Sequence, residues 1–256
     1  MKDFFYATSA VAQAEIRKLM RDPTELLSRA IQPLLWLAVF GQVFSKVRGI
    51  PTGKLSYLDF MAPGILAQSI LFSAIFYGIA IIWERDLGIV HKLLVTPAPR
   101  TALVLGKAVA AGLRGLVQAV VVYLVALGLN VGIRWDFSAM LSVALAVFLG
   151  SCIFATFSLV IACVVKTRER FMGIGQVLTM PLFFASNAIY PIELMPGWLK
   201  AIAIANPLTY LVDALRDTMI VGGHGMYPLP VSFGVMMAVF LLLLAIASRL
   251  YPGLIR

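Results

Sequence analysis

Six long apolar segments, separated by short polar stretches, constrain this chain more than any other feature of its sequence. A helix needs about 20 apolar residues to cross the hydrocarbon core of a bilayer, and each segment reaches that length. Apolar residues make up 61% of the 256 residues and charged residues 13%, where a soluble domain has roughly 45–50% and about 25%. The sequence therefore predicts an all-α, polytopic membrane protein that forms one transmembrane domain over residues 1–256. The predicted spans are residues 23–45, 58–83, 101–131, 137–165, 171–190 and 231–250.

The distribution of Lys and Arg predicts which ends of the spans face the cytoplasm. Cytoplasmic loops are enriched in basic residues, and most basic residues outside the predicted spans lie on the side of the N-terminus. We therefore expect a plasma (inner) membrane protein with both termini in the cytoplasm. The net charge of +9 is divided into short clusters between apolar runs, which indicates membrane topology and argues against nucleic-acid binding.

Residues 1–22, before the first predicted span, have the pattern of an interfacial helix. At about 100° per residue, Phe5, Ala12 and Ile16 lie on one face, and Arg17 and Lys18 lie opposite. A basic amphipathic helix of this kind lies in the plane of the membrane surface. A cleavable signal peptide is the alternative, but polar residues interrupt the apolar part that such a peptide needs.

A polar run between the second and third spans predicts a short amphipathic helix at the membrane surface, within residues 84–97. Its acidic start favours a helix N-terminus, its glycine permits a bend, two leucines supply an apolar face, and prolines end the helix. Such a helix could dock into a groove on a soluble protein; an ordinary charged loop is the alternative. The residues that define the predicted docking helix are Glu84, Arg85, Gly88, Leu93, Leu94 and Pro97.

Three polar residues of the third span, Lys107, Arg114 and Gln118, align on one stripe of the helix. Arg114 lies about 10 Å deeper than Lys107, at about 1.5 Å per residue. Charged side chains inside a membrane are costly and normally face the bundle interior or a water-filled cavity. The stripe is therefore either structural, with Arg114 snorkelling to the interface or paired to Glu84 or to a helix C-terminus, or it attracts an anionic headgroup at a cytoplasmic or lateral entrance.

The sequence carries no recognisable catalytic motif. Zinc-protease, nucleophile-elbow and phosphate-binding-loop patterns are missing, and the acidic residues, twelve in all, are scattered. Asp213 and Asp217 are expected to lie on a solvated or interfacial helix turn. We therefore predict that this chain is not an enzyme and holds no cofactor of its own. An ion-coupled secondary transporter is an alternative function, for which internal repeats and buried acids in the spans would be expected.

Two motifs make the sequence resemble the type-2 ABC exporter permeases, the membrane subunits of drug, lipid and polysaccharide exporters. Chain length, six spans and the N-terminal helix agree with that family as well. The motifs are Glu84-Arg85 with Gly88 and Leu93-Leu94-x-Thr96-Pro97, then Tyr190-Pro191, Leu194-Met195-Pro196-x-Trp198 and Asn206-Pro207-Leu208-Thr209-Tyr210.

The resemblance implies a role for each segment. Residues 84–97 would be the coupling helix that contacts the ATP-binding subunit, and residues 191–218 would form a re-entrant helical hairpin on the outer side. The implied partners are two copies of an ABC ATPase subunit, which bind ATP and Mg²⁺, a second permease chain in a homodimer, and membrane lipids. The resemblance also implies export of a hydrophobic or amphipathic substrate such as a drug, a lipid or a lipid-linked glycan.

The same resemblance assigns an outer gate to the hairpin, whose prolines cannot lie within one continuous helix. A pathway for amphipathic cargo should be lined by aromatic side chains and sparse polar groups. The predicted outer gate consists of Pro191, Pro196, Trp198, Asn206, Pro207 and Tyr210. The predicted pathway residues are Phe72, Phe76, Lys107, Arg114, Gln118 and Asn187.

Overall fold

The computed structural model is helical almost throughout the residues that it describes, which are 2–21, 31, 35–41, 43, 55–165 and 167–255. The all-α prediction is therefore confirmed for this part of the chain. In chain order the helices are α1 (Lys2–Arg21), α2 (Tyr57–Asp86), α3 (Ile89–Val95), α4 (Arg100–Gly128), α5 (Phe137–Val164), α6 (Arg168–Phe184), α7 (Gly197–Ala205), α8 (Pro207–Met219) and α9 (Leu229–Leu250). Short helical turns form at Trp36–Phe40, Ile192–Leu194 and Tyr251–Ile255.

Four of these helices, α2, α4, α5 and α9, are long and apolar enough to cross a membrane. They correspond to the second, third, fourth and sixth predicted spans. The fifth predicted span, 171–190, has the wrong bounds, because α6 begins at Arg168 and gives way to turns after Phe184. Its 17 residues reach about 26 Å at about 1.5 Å per residue, less than the roughly 30 Å hydrocarbon core. The first predicted span, 23–45, lies mostly outside the described residues.

Helix α5 lies at the centre of the bundle and packs against α2, α4, α8 and α9. In the most apolar 18-residue stretch of each helix, 78% is buried inside the protein for α2 but 17% for α9. Because a lipid-facing helix needs no protein cover for its apolar side chains, α2 is an interior element and α9 a peripheral one.

Helix α1 packs along α4. The two backbones approach closely at Gly106, where an added Cβ would lie 2.8 Å from the Thr8 carbonyl oxygen. The predicted amphipathic character is confirmed in part, since Arg17 and Lys18 are exposed. The side of α1 that faces α4 carries a carboxylate, Glu15, which is 4% exposed.

The bundle has two ends, which we name by the helices found there. At the α3 end, the last turn of α2 meets the first residues of α6, where Asp86 and Arg168 are paired at 2.8 Å. At the α8 end, the loop after α4 pairs with the residues that follow α8 through the antiparallel bridge Ile133–Ile220. The Asp59 carboxylate, near the start of α2, accepts a hydrogen bond from the Gly132 backbone there at 2.8 Å.

The segment 191–218 is divided by its prolines, as predicted. Helix α7 follows Pro196, and α8 begins at Pro207. Between them, the Asn206 side chain accepts a hydrogen bond from the Leu208 backbone at 3.0 Å and so caps α8. Its amide donates to the carbonyl oxygens of Leu182 and Ala185, at 2.7 and 2.9 Å. These bonds join the start of α8 to the end of α6; the re-entrant depth of the segment stays a prediction.

Candidate functional site

A short helix forms within the segment of the predicted docking helix, but it begins later than expected. Helix α2 continues through Glu84 and Arg85 to Asp86, and α3 starts at Ile89. Gly88 separates the two helices with φ of +72°, a backbone conformation that favours glycine. The prediction that Glu84 and Arg85 open the docking helix is therefore wrong, since both belong to the last turns of α2. The predicted end is confirmed, because Val95 closes α3 just before Pro97.

The exposed apolar side chains of the α3 segment are not the predicted ones. Leu93 and Leu94 are half-buried and pack against the hydrophobic core, while Val90 is completely buried. Leu87 is 69% exposed and Val95 is 87% exposed. We call Leu87, Ile89 and Val95 the α3 apolar patch. The buried Val90 packs one side of α3 against the bundle, while the α3 apolar patch is exposed to the surroundings.

A buried ionic network lies directly behind α3. The Lys107 ammonium is 2.5 Å from a Glu84 carboxylate oxygen and 3.2 Å from one of Glu15. Lys18 pairs with the same two carboxylates from the exposed side of α1. The Arg114 guanidinium lies 3.3 Å from the second oxygen of Glu15. The network thus joins α1, α2 and α4 by ion pairs, and Glu84 is a structural residue rather than an exposed docking residue.

The charges of this network partly compensate one another inside the protein. Two carboxylates face three cations, of which Lys107 and Arg114 are buried and Lys18 is half exposed. Burial alone would raise the pKa of the Glu15 carboxyl, but the ammonium of Lys107, with Lys18 and Arg114, lowers it to about 2. Glu15 is therefore ionised at neutral pH and remains available to neutralise the cations of α4.

The contacts of the polar stripe of α4 favour the structural one of the two sequence-based alternatives. Lys107, Arg114 and Gln118 are all buried, and Arg114 lies over the Tyr77 ring at 5.1 Å. Its carboxylate partner is Glu15, whereas Glu84 pairs with Lys107. The stripe faces the interior of the bundle, and attraction of an anionic headgroup stays a prediction.

Helix α6 is attached to the same end of the bundle. The Arg168 guanidinium, at the start of α6, binds Asp86 and stacks on the Trp83 ring at 3.8 Å. Arg85 also binds Asp86, at 3.0 Å, and donates to the Val165 carbonyl oxygen at 3.4 Å. The end of α2 is therefore connected to α1, α4, α5 and α6 immediately before the chain enters α3.

A second polar cluster lies at the α8 end. Asp213 is 1% exposed and accepts hydrogen bonds from the backbone N–H groups of Met226 and Tyr227, at 2.9 and 3.0 Å. The Asn187 side chain donates to its other oxygen, and the Arg216 guanidinium lies 3.9 Å away. Of the expected solvated or interfacial turn, the solvated alternative is therefore wrong for Asp213, and the interfacial one stays a prediction. Burial raises the pKa of the Asp213 carboxyl, while the two backbone donors oppose that rise.

The predicted outer-gate residues fall into two groups. Asn206 and Tyr210 are buried, and the Tyr210 hydroxyl donates to the Ile204 carbonyl oxygen at 2.8 Å while its ring stacks on Tyr227 at 5.1 Å. Trp198 is 68% exposed on α7. Pro191, Pro196 and Pro207 each precede or begin a helical segment. Their role in gating stays a prediction.

The predicted pathway residues are not brought together. Phe72 and Phe76 line a groove of about 280 Å³ between α2 and α6. Lys107, Arg114 and Gln118 belong to the stripe of α4 already described, while Asn187 lies in the cluster at the α8 end. A single pathway through all six side chains is therefore not supported.

Glu15 is the site residue that sequence reasoning missed. It is the one acidic residue of α1 beyond Asp3, on a helix otherwise apolar, polar or basic. A lone carboxylate on an interfacial helix and lone cations in a neighbouring span are complementary, because each is costly to bury unpaired. The sequence could therefore have predicted the ion pairs between α1 and α4.

Comparison with known proteins places the chain among transporter permeases. The sequence model of the ABC-2 type transporter family matches residues 6–220. Over 202 residues the chain is 32% identical to a putative transport permease, ycf38, of Cyanophora paradoxa, covering 78% of this chain and 69% of that protein. It is 29% identical over 203 residues to the daunorubicin resistance ABC transporter permease protein DrrB1 of Streptomyces coeruleorubidus, covering 77% and 69%. A probable multidrug ABC transporter permease, YbhR, of Escherichia coli K12 is 28% identical over 178 residues, covering 67% and 46%.

Proposed function

Because this chain belongs to the ABC-2 type transporter family and is the membrane subunit of an ABC transporter, we propose that it exports a hydrophobic or amphipathic substrate. The substrate would leave the cytoplasm or the inner leaflet of the plasma membrane. A separate ATPase subunit, present in two copies, would bind and hydrolyse ATP with Mg²⁺. Two permease chains would form the pathway as a homodimer, with both termini of each chain in the cytoplasm. Permeases named for daunorubicin resistance and multidrug transport among the relatives support a drug-like substrate.

The α3 apolar patch is the observation that carries this proposal. Leu87, in the turn before α3, and Ile89 and Val95 of α3 are exposed at one end of the bundle, where lipid tails do not cover them if that end faces the cytoplasm. An exposed apolar patch bordered by polar residues is typical of a protein–protein interaction site. We infer that the ATPase subunit docks on this patch and that α3 is the coupling helix.

The connections of α3 supply a route for mechanical coupling. A displacement of α3 acts on the last turn of α2, which the ionic network joins to α1 and α4 and which Arg168 joins to α6. The C-terminal turn Tyr251–Ile255 also packs against α3. Movement of the ATPase would therefore reach four helices and the end of α9 as one unit.

The test is co-purification of an ATPase with the chain from its native membrane. A Leu87→Asp/Val95→Asp double variant places two charges in the α3 apolar patch and leaves the ionic network intact. Gln13→Asp/Ala14→Asp is the matched control, because it adds two carboxylates to exposed positions of α1.

We expect an ATP-hydrolysing subunit to co-purify at about one copy per chain, to be lost in the double variant and to be retained in the control. Retention of the ATPase by a normally folded double variant would refute α3 as the docking site. Absence of any ATPase from the unmodified chain would refute the export proposal as a whole.

A further inference from the structure

A groove of about 330 Å³ runs along the surface of the bundle between α4 and α5. Every residue that lines the groove is apolar or aromatic. On each helix the lining residues recur at every third or fourth position, so the groove follows the axes of both helices. We call it the α4–α5 groove, and its walls include Leu116, Val120, Leu124 and Leu127 of α4 with Met140 and Ala144 of α5.

The α4–α5 groove has the length and the position of one leaflet of a bilayer. The eleven steps from Leu116 to Leu127 span about 16 Å at about 1.5 Å per residue, and half of the roughly 30 Å hydrocarbon core is about 15 Å. The groove occupies the C-terminal half of α4 and the N-terminal half of α5, which adjoin the α8 end of the bundle. Because both helices are long and apolar enough to cross a membrane, the groove lies roughly parallel to the acyl chains of the leaflet at that end.

Aromatic rings mark the end of the groove that meets the membrane surface. The rings of Tyr123 and Trp135 pack edge to face with their centroids 6.3 Å apart, and both residues line the groove. Trp135 lies in the loop between α4 and α5 and is 54% exposed. Because Trp and Tyr side chains are enriched where hydrocarbon gives way to water, we expect this end of the groove at the level of the lipid headgroups.

Two residues of opposite charge, Arg134 and Asp136, flank Trp135 in the chain. Within the described residues neither side chain forms an ion pair. The Arg134 backbone N–H donates to the Met219 carbonyl oxygen at 2.8 Å, which fixes the loop and leaves the guanidinium available. The Asp136 carboxylate makes no capping bond to α5. A guanidinium binds a phosphate and a carboxylate binds an ammonium group, and these two ligand groups together are the charges of a zwitterionic phospholipid.

The shape of the α4–α5 groove favours an acyl chain over a protein segment. A third helix is about 10–12 Å wide with its side chains and would rest on the rims, whereas an acyl chain is one carbon wide and can lie in the groove along its length. Apart from Tyr123 and Trp135, the lining side chains have no polar group, so a polar occupant would lose its hydrogen bonds with water. No residue of this groove lines the groove that holds Phe72 and Phe76, so an occupant here is separate from those predicted pathway residues.

We propose that the α4–α5 groove binds one acyl chain of a zwitterionic phospholipid, which the protein holds as a resident lipid of the leaflet at the α8 end. The acyl chain lies against the apolar walls, the phosphate contacts Arg134, and the ammonium group contacts Asp136. The Trp135 ring lies between the acyl chain and the headgroup. This lipid is not the exported substrate, and its binding does not depend on an ATPase.

Titration of phospholipids into the purified, delipidated full chain in detergent, followed by native mass spectrometry, tests the proposal. The probe is palmitoyl-oleoyl-phosphatidylethanolamine, and phosphatidylglycerol with the same acyl chains is the anionic comparison. Val120→Trp and Ala144→Phe obstruct the groove from its α4 wall and its α5 wall. Val117→Trp is the matched control, since it makes the same replacement on α4 at an exposed position that does not line the groove. Arg134→Gln/Asp136→Asn removes the two charges beside Trp135 and leaves the groove open.

We expect the first phosphatidylethanolamine to bind at least tenfold more tightly than further copies of the lipid. Its binding should weaken at least tenfold in each groove variant and at least threefold in Arg134→Gln/Asp136→Asn, and should be unchanged in Val117→Trp. Absence of a distinct first binding event would overturn the proposal, as would a first event that either kind of variant leaves unchanged or that prefers phosphatidylglycerol. A dimer that both groove variants dissociate, with no lipid bound, would also overturn it, because the groove would then be an interface between two copies of the chain.

Discussion

The replacement Glu15→Gln is the most direct test of the ionic network at the α3 end. It keeps the volume of the side chain and removes the negative charge that Lys107, Arg114 and Lys18 share. Removal of one partner from a buried ion pair costs about 3–5 kcal/mol. Lys107 keeps its contact with Glu84 at 2.5 Å, so the lower end of that range applies. Arg114 keeps the Tyr77 ring and the Glu15 carbonyl oxygen at 3.4 Å.

A loss of about 3 kcal/mol corresponds to about a 100-fold change in an equilibrium constant. We expect α1 to separate from α4 about 100 times more often in the variant, because α4 carries the cations that Glu15 holds. Hydrogen–deuterium exchange of the α1 amides, followed by mass spectrometry, measures this local opening. Exchange within α5 should change little, since α5 makes no ion pair with the network among the described residues.

Two further variants decide whether charge is the cause. Ala14→Gln introduces the same side chain at the exposed neighbouring position and should leave exchange in α1 unchanged. Lys107→Met combined with Glu15→Gln should cost less than the sum of the two single changes, because residues of one ionic network are energetically coupled. Unchanged exchange in Glu15→Gln, or strict additivity in the double variant, would refute the network as the attachment of α1.

Two more predictions concern the same attachment. The pKa of Glu15 is lowered from 4.5 to about 2, so its contribution to stability is present above about pH 4.5 and is lost as the pH falls towards about 2. Hydrogen–deuterium exchange in α1 should therefore accelerate as the pH is lowered through that range. An unchanged exchange rate would contradict an ionised Glu15. Gly106→Leu would place a side chain against the Thr8 backbone and should displace α1. Gly128→Leu in the same helix, where an added Cβ meets nothing within 4 Å, should leave exchange in α1 at its original rate.

The long spans could be predicted from the sequence because their determinant is local. A run of apolar residues long enough to cross a bilayer forms a helix whatever its neighbours are. Helices α2, α4, α5 and α9 follow that rule closely. The bounds of α6 do not follow that rule. Pro181 lies in its last turn, and the apolar residues after the helix form turns that pack against α2 and α8.

The errors at the site come from interactions between residues distant in the sequence. Glu84 was expected at a helix start, where its charge suits the helix dipole. It lies near the end of α2 instead, and Lys107 and Lys18 from two other helices neutralise it there. Asp213 was expected in solvent, but the loop after α8 folds back and supplies two N–H donors to it. Neither set of partners is visible in a local pattern of residue types.

The order of residues in the ionic network has a consequence for insertion of the chain into the membrane. Synthesis proceeds from the N-terminus, so Glu15 and Glu84 have already been made when Lys107 and Arg114 emerge. Both carboxylates can then reach the surface at which α4 enters the bilayer, and the cations of α4 can be neutralised as they arrive. Helix α1 would then supply the counter-charge for a later span during synthesis. A chain without Glu15 would insert α4 less efficiently, before any question of transport arises.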